Sequence, residues 1–241
     1  MSPACNHRAL RCAASTPGSA DEPQLQRRSD SEWIAVHPAT KEVYCTLTNN
    51  SQRGGRDRPG TDRANPRASN VFGQIIRWRE AGNDPAGMKF DWDLFALAGD
   101  PQHADPAQRG NSKGDAFGSP DGLWFDDGGL LWIQTDVSTS TLNKGPYERL
   151  GNNMMLAADI RTGEIRRFLT GPNGCEVTGV VTTPDGKTLF VNIQHPGETS
   201  SERSDPKNPK AVSAWPDGPG GGRPRSATVV IRRNDGGVIG T

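Results

Sequence analysis

One unit, an acid followed by a strand, a tight turn and a second strand, occurs three times in this chain, and no other feature constrains its fold as much. The copies read EWIAVHPATKEVYCTLTNN (32–50), DGLWFDDGGLLWIQTDVS (121–138) and EVTGVVTTPDGKTLFVNIQHP (176–196). Each opens on a carboxylate, Glu32, Asp121 or Glu176, and runs through a short apolar strand into Pro-Ala-Thr, Asp-Gly-Gly or Pro-Asp-Gly. Each closes with a second strand that carries an aromatic, Tyr44, Trp132 or Phe190. Asp-Gly between apolar runs is a strong hairpin signal, because glycine tolerates the positive φ such turns require.

Further strand-like runs follow each hairpin. VFGQIIRWRE (71–80) and KFDWDLFALAG (89–99) follow the first, and NMMLAADI (153–160) and EIRRFLTG (164–171) follow the second. The third is followed by SATVVIRRNDGG (226–237) and then only VIGT. Four antiparallel strands per unit make a β-propeller blade. The expected fold is therefore all-β, with about three four-stranded blades, the last incomplete. Closure of a propeller needs at least ~4 blades, so the chain reads as half of one. Residues 1–30 show neither helical nor strand periodicity and are expected to be disordered, leaving 31–241 as the propeller part. The stretches 51–70, 100–118 and 200–226, rich in Pro, Gly and charge, are expected to be loops.

Composition narrows the function classes. Twenty-eight basic residues balance twenty-eight acidic ones, whereas a nucleic-acid reader carries a basic excess. No stretch approaches the ~18–20 apolar residues that span a bilayer, and the first 30 residues lack the apolar run of a secretory signal. The chain as it stands is thus expected to be cytoplasmic, with no membrane partner. The four cysteines, Cys5, Cys12, Cys45 and Cys175, include no Cys-x-x-Cys pair. Free, partly buried thiols are expected rather than a zinc site or a disulfide framework.

In a propeller the first strand of each blade lines the central channel, so Glu32, Asp121 and Glu176 are expected to converge on one mouth. Carboxylates that close together stay ionised only when cations neutralise them. All-oxygen ligands favour hard ions, with Ca²⁺ ahead of Mg²⁺ or Mn²⁺. The alternative for each acid is an ordinary strand-start residue facing solvent, and the recurrence at one phase puts the two readings level. His37 and His195 are expected to be turn or core histidines, and Cys175 to point away from the channel because strand neighbours alternate faces. Trp33, Trp124 and Trp132 are expected to pack between blades. Arg77, Arg79, Arg166 and Arg167 are expected on a solvated face.

The blocks EWIAVHP, EVYCTLTNNS, FGSPDGLWFD, LWIQTD, GNNMMLAADIRTGEIRRFLTGPNGCEVTG and TPDGKTLFVNIQHPGE resemble the PhoX-type alkaline phosphatase family. The resemblance covers about residues 31–241 and corresponds to the family's C-terminal half. It implies a six-bladed propeller that hydrolyses phosphomonoesters with calcium and iron ions clustered in its channel. It also implies a periplasmic or secreted parent protein. By position, Glu32, Asp121 and Glu176 match motif residues that would give carboxylates to that Ca²⁺ and Fe³⁺ cluster. The family's thiolate iron ligand has no counterpart, since Cys175 stands elsewhere. The resemblance makes the chain part of a metal-dependent phosphomonoesterase, inactive or impaired alone, whose catalytic residues stay unassigned. Two other readings compete. One is a calcium-dependent lactonase, which explains the 121–132 block. The other is a non-enzymatic half-propeller that self-associates through open strand edges.

Overall fold

A computed structural model of the protein describes residues 31–198 and 206–241. The expected disorder of 1–30 falls outside the described residues, as do Cys5 and Cys12. Within them the chain forms three sheets. The first contains β1 (Ser31–Val36), β2 (Val43–Leu47), β3 (Gln74–Glu80) and β4 (Phe90–Leu97), paired antiparallel in chain order. The second contains β5 (Lys113–Gly114), β6 (Pro120–Phe125), β7 (Leu131–Thr135), β8 (Met154–Asp159) and β9 (Glu164–Thr170), in the order β5-β9-β8-β7-β6. The third contains β10 (Glu176–Thr182), β11 (Leu189–Gln194) and β12 (Ala227–Ile231). Apart from three single turns of 3-10 helix, the described residues are all-β, and every pairing between strands except β5 with β9 is antiparallel. The first strands β1, β6 and β10 each lie at a sheet edge, and β6 touches both of the others.

Each second strand shows why the hairpins stack. All five residues of β2 and all five of β7 are buried, because the strand has a neighbour on each side and a covered face above and below. Tyr44, Phe72, Ile75 and Ala96 of the first sheet region pack on Phe125, Leu131, Ile133, Leu156 and Ile165 of the second. Trp132 and Met155 of the second sheet pack on Val177, Leu189, Val191 and Ile193 of the third. Full burial of each such side chain contributes about 1.5–3 kcal/mol. The closing VIGT adds no strand. Instead Ile239 is buried in the second of these cores, with its amide donating to the Gly186 carbonyl at 2.9 Å.

The turns follow the residues that make them. In the second hairpin Asp126 accepts from the Leu130 amide at 2.9 Å and from the Trp132 indole nitrogen at 3.0 Å. Gly129 has φ +83°, and a Cβ there would lie 2.7 Å from His37 Nε2. In the first hairpin His37 Nδ1 accepts from the amides of Ala39 (3.1 Å) and Thr40 (3.0 Å). Its ring packs edge-on to Phe125, so His37 serves the turn and the core.

Two expectations are corrected, for the tryptophans and for 100–118. Trp132 is fully buried between sheets, but Trp33 and Trp124 are 46% and 37% exposed. Both lie on sheet-edge first strands. The stretch 51–70 is a loop, as expected, and is held by internal contacts. Arg53 pairs with Asp62, and the buried Arg67 guanidinium donates to the carbonyls of Gly73, Ala98 (2.7 Å) and Gln108 (3.3 Å). Burial without a carboxylate partner lowers the Arg67 pKa to about 10. The stretch 100–118 supplies β5, because Gly114 (φ +115°) lets the backbone approach β9 where a Cβ would lie 2.3 Å from the Ile165 carbonyl.

Candidate functional site

The three repeat acids stand at the same end of the molecule, where β1, β6 and β10 begin. Each of these strands carries a break in register: near that end between Ser31 and Ile34 in β1 and between Pro120 and Leu123 in β6, and mid-strand between Thr178 and Val181 in β10. Bulges of this kind re-aim side chains. The backbone of β6 is also held from the first sheet. Thr48 Oγ1 donates to the Pro120 carbonyl at 2.9 Å, and Thr46 Oγ1 donates to the Asp121 carbonyl at 2.7 Å.

Electrostatics at this mouth run against the usual carboxylate behaviour. The Asp121 pKa is raised to about 6, first by burial, then by the charges of Glu176, Glu32 and Asp136. Glu176 is also raised, by burial and by Asp136, with His195 opposing. Asp136 is raised by burial and by Glu198, again with His195 opposing. His195 Nε2 lies 3.5 Å from Glu176 Oε2, and its Nδ1 lies 3.2 Å from Glu198 Oε2. The structure thus brings Asp121 and Glu176 into one acidic group, with Glu32 close enough to act on Asp121 while itself exposed.

Asp136, His195 and Glu198 were missed by the sequence reading, which treated His195 as a turn or core histidine. His195 is instead partly exposed and held between two carboxylates. The signal for Asp136 and His195 lay in the hairpin topology. If first strands start at the mouth, second strands end there, and Asp136 and His195 are the residues that follow β7 and β11. A pocket of about 420 Å³ opens beside them, lined by Asp136, Ser138, Thr139, Ser140, His195 and Glu198.

As donors, these groups suit a hard cation: carboxylate oxygens in mutual repulsion gain most from one. Among the described residues, however, no three of His, Cys, Asp and Glu are close enough to hold a metal ion by themselves. Among the described residues neither cysteine presents a thiol to the acids. Cys175 also borders the pocket, but its side chain is buried against Gly171 and Val177, and burial pushes the thiol up to about 12. The other described cysteine, Cys45, is likewise free and buried. A larger cleft of about 790 Å³ lies at the opposite end, between the hairpin turns, away from these acids.

The chain matches the family described as "Alkaline phosphatase PhoX" over residues 20–197, a match that starts ahead of the Ser31 boundary read from the sequence. Among solved structures it matches Pseudomonas fluorescens PhoX in complex with vanadate, a transition state analogue, with a TM-score of 0.78 and 49% sequence identity. That match covers 89% of this chain and 35% of the Pseudomonas chain, so this chain spans about a third of the relative's length. A comparison with curated protein sequences returns no match.

Proposed function

Because the chain belongs to the PhoX alkaline phosphatase family, we propose that it supplies part of the catalytic channel of a metal-dependent phosphomonoesterase. In this reading the three sheets are three blades of a six-bladed propeller, and Glu32, Asp121 and Glu176 are carboxylate ligands to its channel cations. One observation carries the proposal. Asp121 is raised to about 6, first by its burial at the mouth and then by the charges of Glu176 and Glu32 from the two neighbouring sheets and of Asp136. Desolvation and like-charge repulsion of that kind are retained at a site where a cation relieves them.

The chain's own residues have definable tasks. Asp121 and Glu176 present anionic oxygens at the mouth, with Thr46 and Thr48 fixing the backbone that carries Asp121. His195 holds Glu176 on one side and Glu198 on the other. The pocket beside them gives the ester room next to the acids. Bound cations would supply Lewis-acid polarisation of the phosphoryl oxygens and an activated attacking oxygen for in-line displacement. The donor set fits Ca²⁺. The Fe³⁺ implied by the family resemblance calls for ligands beyond these residues, since the Cys175 side chain is buried beside Gly171 and Val177.

The described residues do not enclose a cation unaided, so activity is proposed to require further channel residues, from the remainder of a family domain or from self-association. The exposed apolar edge of β1, with Trp33, Ile34 and Val36 at 46%, 47% and 53% exposure, is where such an association would seal. The test is elemental analysis of purified protein beside its Asp121→Ala variant, with p-nitrophenyl phosphate hydrolysis followed in parallel. Loss of bound calcium in the variant is expected, and unchanged metal content would remove Asp121 from the ligand set.

A further inference from the structure

Behind the acids lies a chain of hydroxyl groups that the phosphatase reading leaves unused. Tyr147 ends a 3-10 turn (Gly145–Tyr147) in the long connection from β7 to β8, and its side chain is buried. Its Oη lies 2.6 Å from the Val71 carbonyl and 2.7 Å from Ser119 Oγ. A carbonyl can only accept, so the single phenolic proton goes to Val71 and the Ser119 hydroxyl must donate to Tyr147. Burial pushes the phenol up to about 12, which keeps that proton in place. The ring packs on the backbone next to Ser119, where a Cβ on Gly118 would lie 2.5 Å from the ring.

Ser119 is the residue through which this contact reaches the mouth. It is buried, and its φ is +49°, a left-handed conformation that few residues with a side chain adopt. Such a conformation persists when its surroundings over-determine it, and here three groups do so. Tyr147 takes its hydroxyl, the Phe72 carbonyl takes its amide at 2.7 Å, and its own carbonyl accepts from the Asp136 amide at 3.1 Å. Asp121 follows two residues later. One residue therefore holds the backbone of both raised acids of the second sheet.

We propose that Tyr147 is a positioning residue for the acidic mouth: through Ser119 it fixes the backbone from which Asp121 and Asp136 project, setting the spacing at which their carboxylates receive a cation. The cation part of this inference rests on the ligand reading above. The backbone part stands on the hydrogen bonds alone. Without the clamp, Thr46 and Thr48 still hold the Asp121 and Pro120 carbonyls, and repulsion between the acids would be relieved by movement of Ser119 and of the Asp136 amide bonded to it. With it, that segment stays where a cation finds the acids already assembled.

The variants Tyr147→Phe, which keeps the ring, and Ser119→Ala, which breaks the same bond from its other end, test the proposal in two measurements. In the metal-free chain, amide hydrogen exchange at Asp136 is expected to accelerate about tenfold or more, as for a local opening, while amides of β10, β11 and β12 keep their wild-type rates. In a titration with calcium alone, affinity is expected to fall about 10–100-fold at unchanged stoichiometry. A Val191→Ala variant, which cuts into the core between the second and third sheets, serves as the comparison for a general loss of stability. It is expected to lower the melting temperature and leave both readouts at wild type. Unchanged Asp136 exchange in both hydroxyl variants, or the same two changes in Val191→Ala, would overturn the proposal. Should the wild-type chain take up no calcium without the further channel residues, the exchange measurement alone decides the positioning role.

Discussion

Carboxylates crowd both ends of these sheets, and the two ends treat them in opposite ways. At the hairpin end, Asp159 is held below the usual carboxylate range by the Arg161 side chain and amide, and Asp185 by the Thr183 hydroxyl and the Lys187 amide. Asp126 is occupied in the same manner, by the Leu130 amide and the Trp132 indole. At the mouth, Asp121, Asp136 and Glu176 are pushed up, and for Asp121 and Asp136 no hydrogen bond is among the causes. A carboxylate whose lone pairs already serve turn amides is stabilised as an anion and has little to offer a ligand. One that is desolvated, repelled and without donors is stabilised by whatever positive charge arrives. Residue type and clustering do not separate the two ends, whereas the source of each acid's hydrogen bonds does.

The sharpest way to break this comparison is to remove one acid from each end. Asp126→Ala is expected to destabilise the chain by about 2–3 kcal/mol, because it leaves the fully buried Trp132 indole without an acceptor. Asp121→Asn is expected to stabilise the metal-free chain at pH 8, since it deletes a charge that folding disfavours. Urea or thermal unfolding of both variants measures the contrast. Loss of stability in Asp121→Asn at pH 8 would mean that the mouth acid is structural after all.

A smaller effect follows from the same contrast and concerns pH. In the unfolded chain Asp121 takes up its proton near ~3.9, and in the folded chain at about 6. Between these values the folded state holds the extra proton, so stability rises as pH falls from about 7 to about 4. The gain from this group, screened by the water at the mouth, is about 1–2 kcal/mol. Asp136 and Glu176 shift in the same direction, and Glu32, Glu198 and His195 face the same space. Melting temperatures of metal-free protein across this range are expected to be higher at pH 5 than at pH 8, with the slope reduced in Asp121→Asn.

The sequence allowed the strands and the repeat acids to be read because both are local in origin. Turn chemistry at Asp126–Gly129 and Asp185–Gly186 announces the second and third hairpins, and recurrence at one phase singles out Glu32, Asp121 and Glu176. What stayed hidden depends on contacts between distant segments. His195 reaches Glu176 only because β10 and β11 lie antiparallel. Tyr147 reaches Ser119 across 28 residues of chain, from a stretch with no periodicity to mark it. The exposure of Trp33 and Trp124 was likewise a matter of which sheet face had a neighbour, and an aromatic side chain in a strand pattern does not record that.

Asp159 gives the smallest effect and the most stringent test of the division between the ends, because its prediction has the opposite pH sign. Its carboxylate accepts from the Arg161 amide at 2.8 Å in the turn from β8 to β9, and Arg161 Nε stands 3.3 Å away. The folded pKa is therefore depressed, and the stability this group contributes is present above its unfolded value of ~3.9 and lost as pH falls through the lower folded value. Asp159→Asn is expected to cost at most about 0.5 kcal/mol at pH 7, since the ion pair is open to solvent. The cost should shrink as acid protonates the wild-type carboxylate. Measured beside Asp121→Asn, the two pH slopes should differ in sign. Equal signs would mean that burial and neighbouring charge, not the turn hydrogen bonds, set the behaviour of both ends.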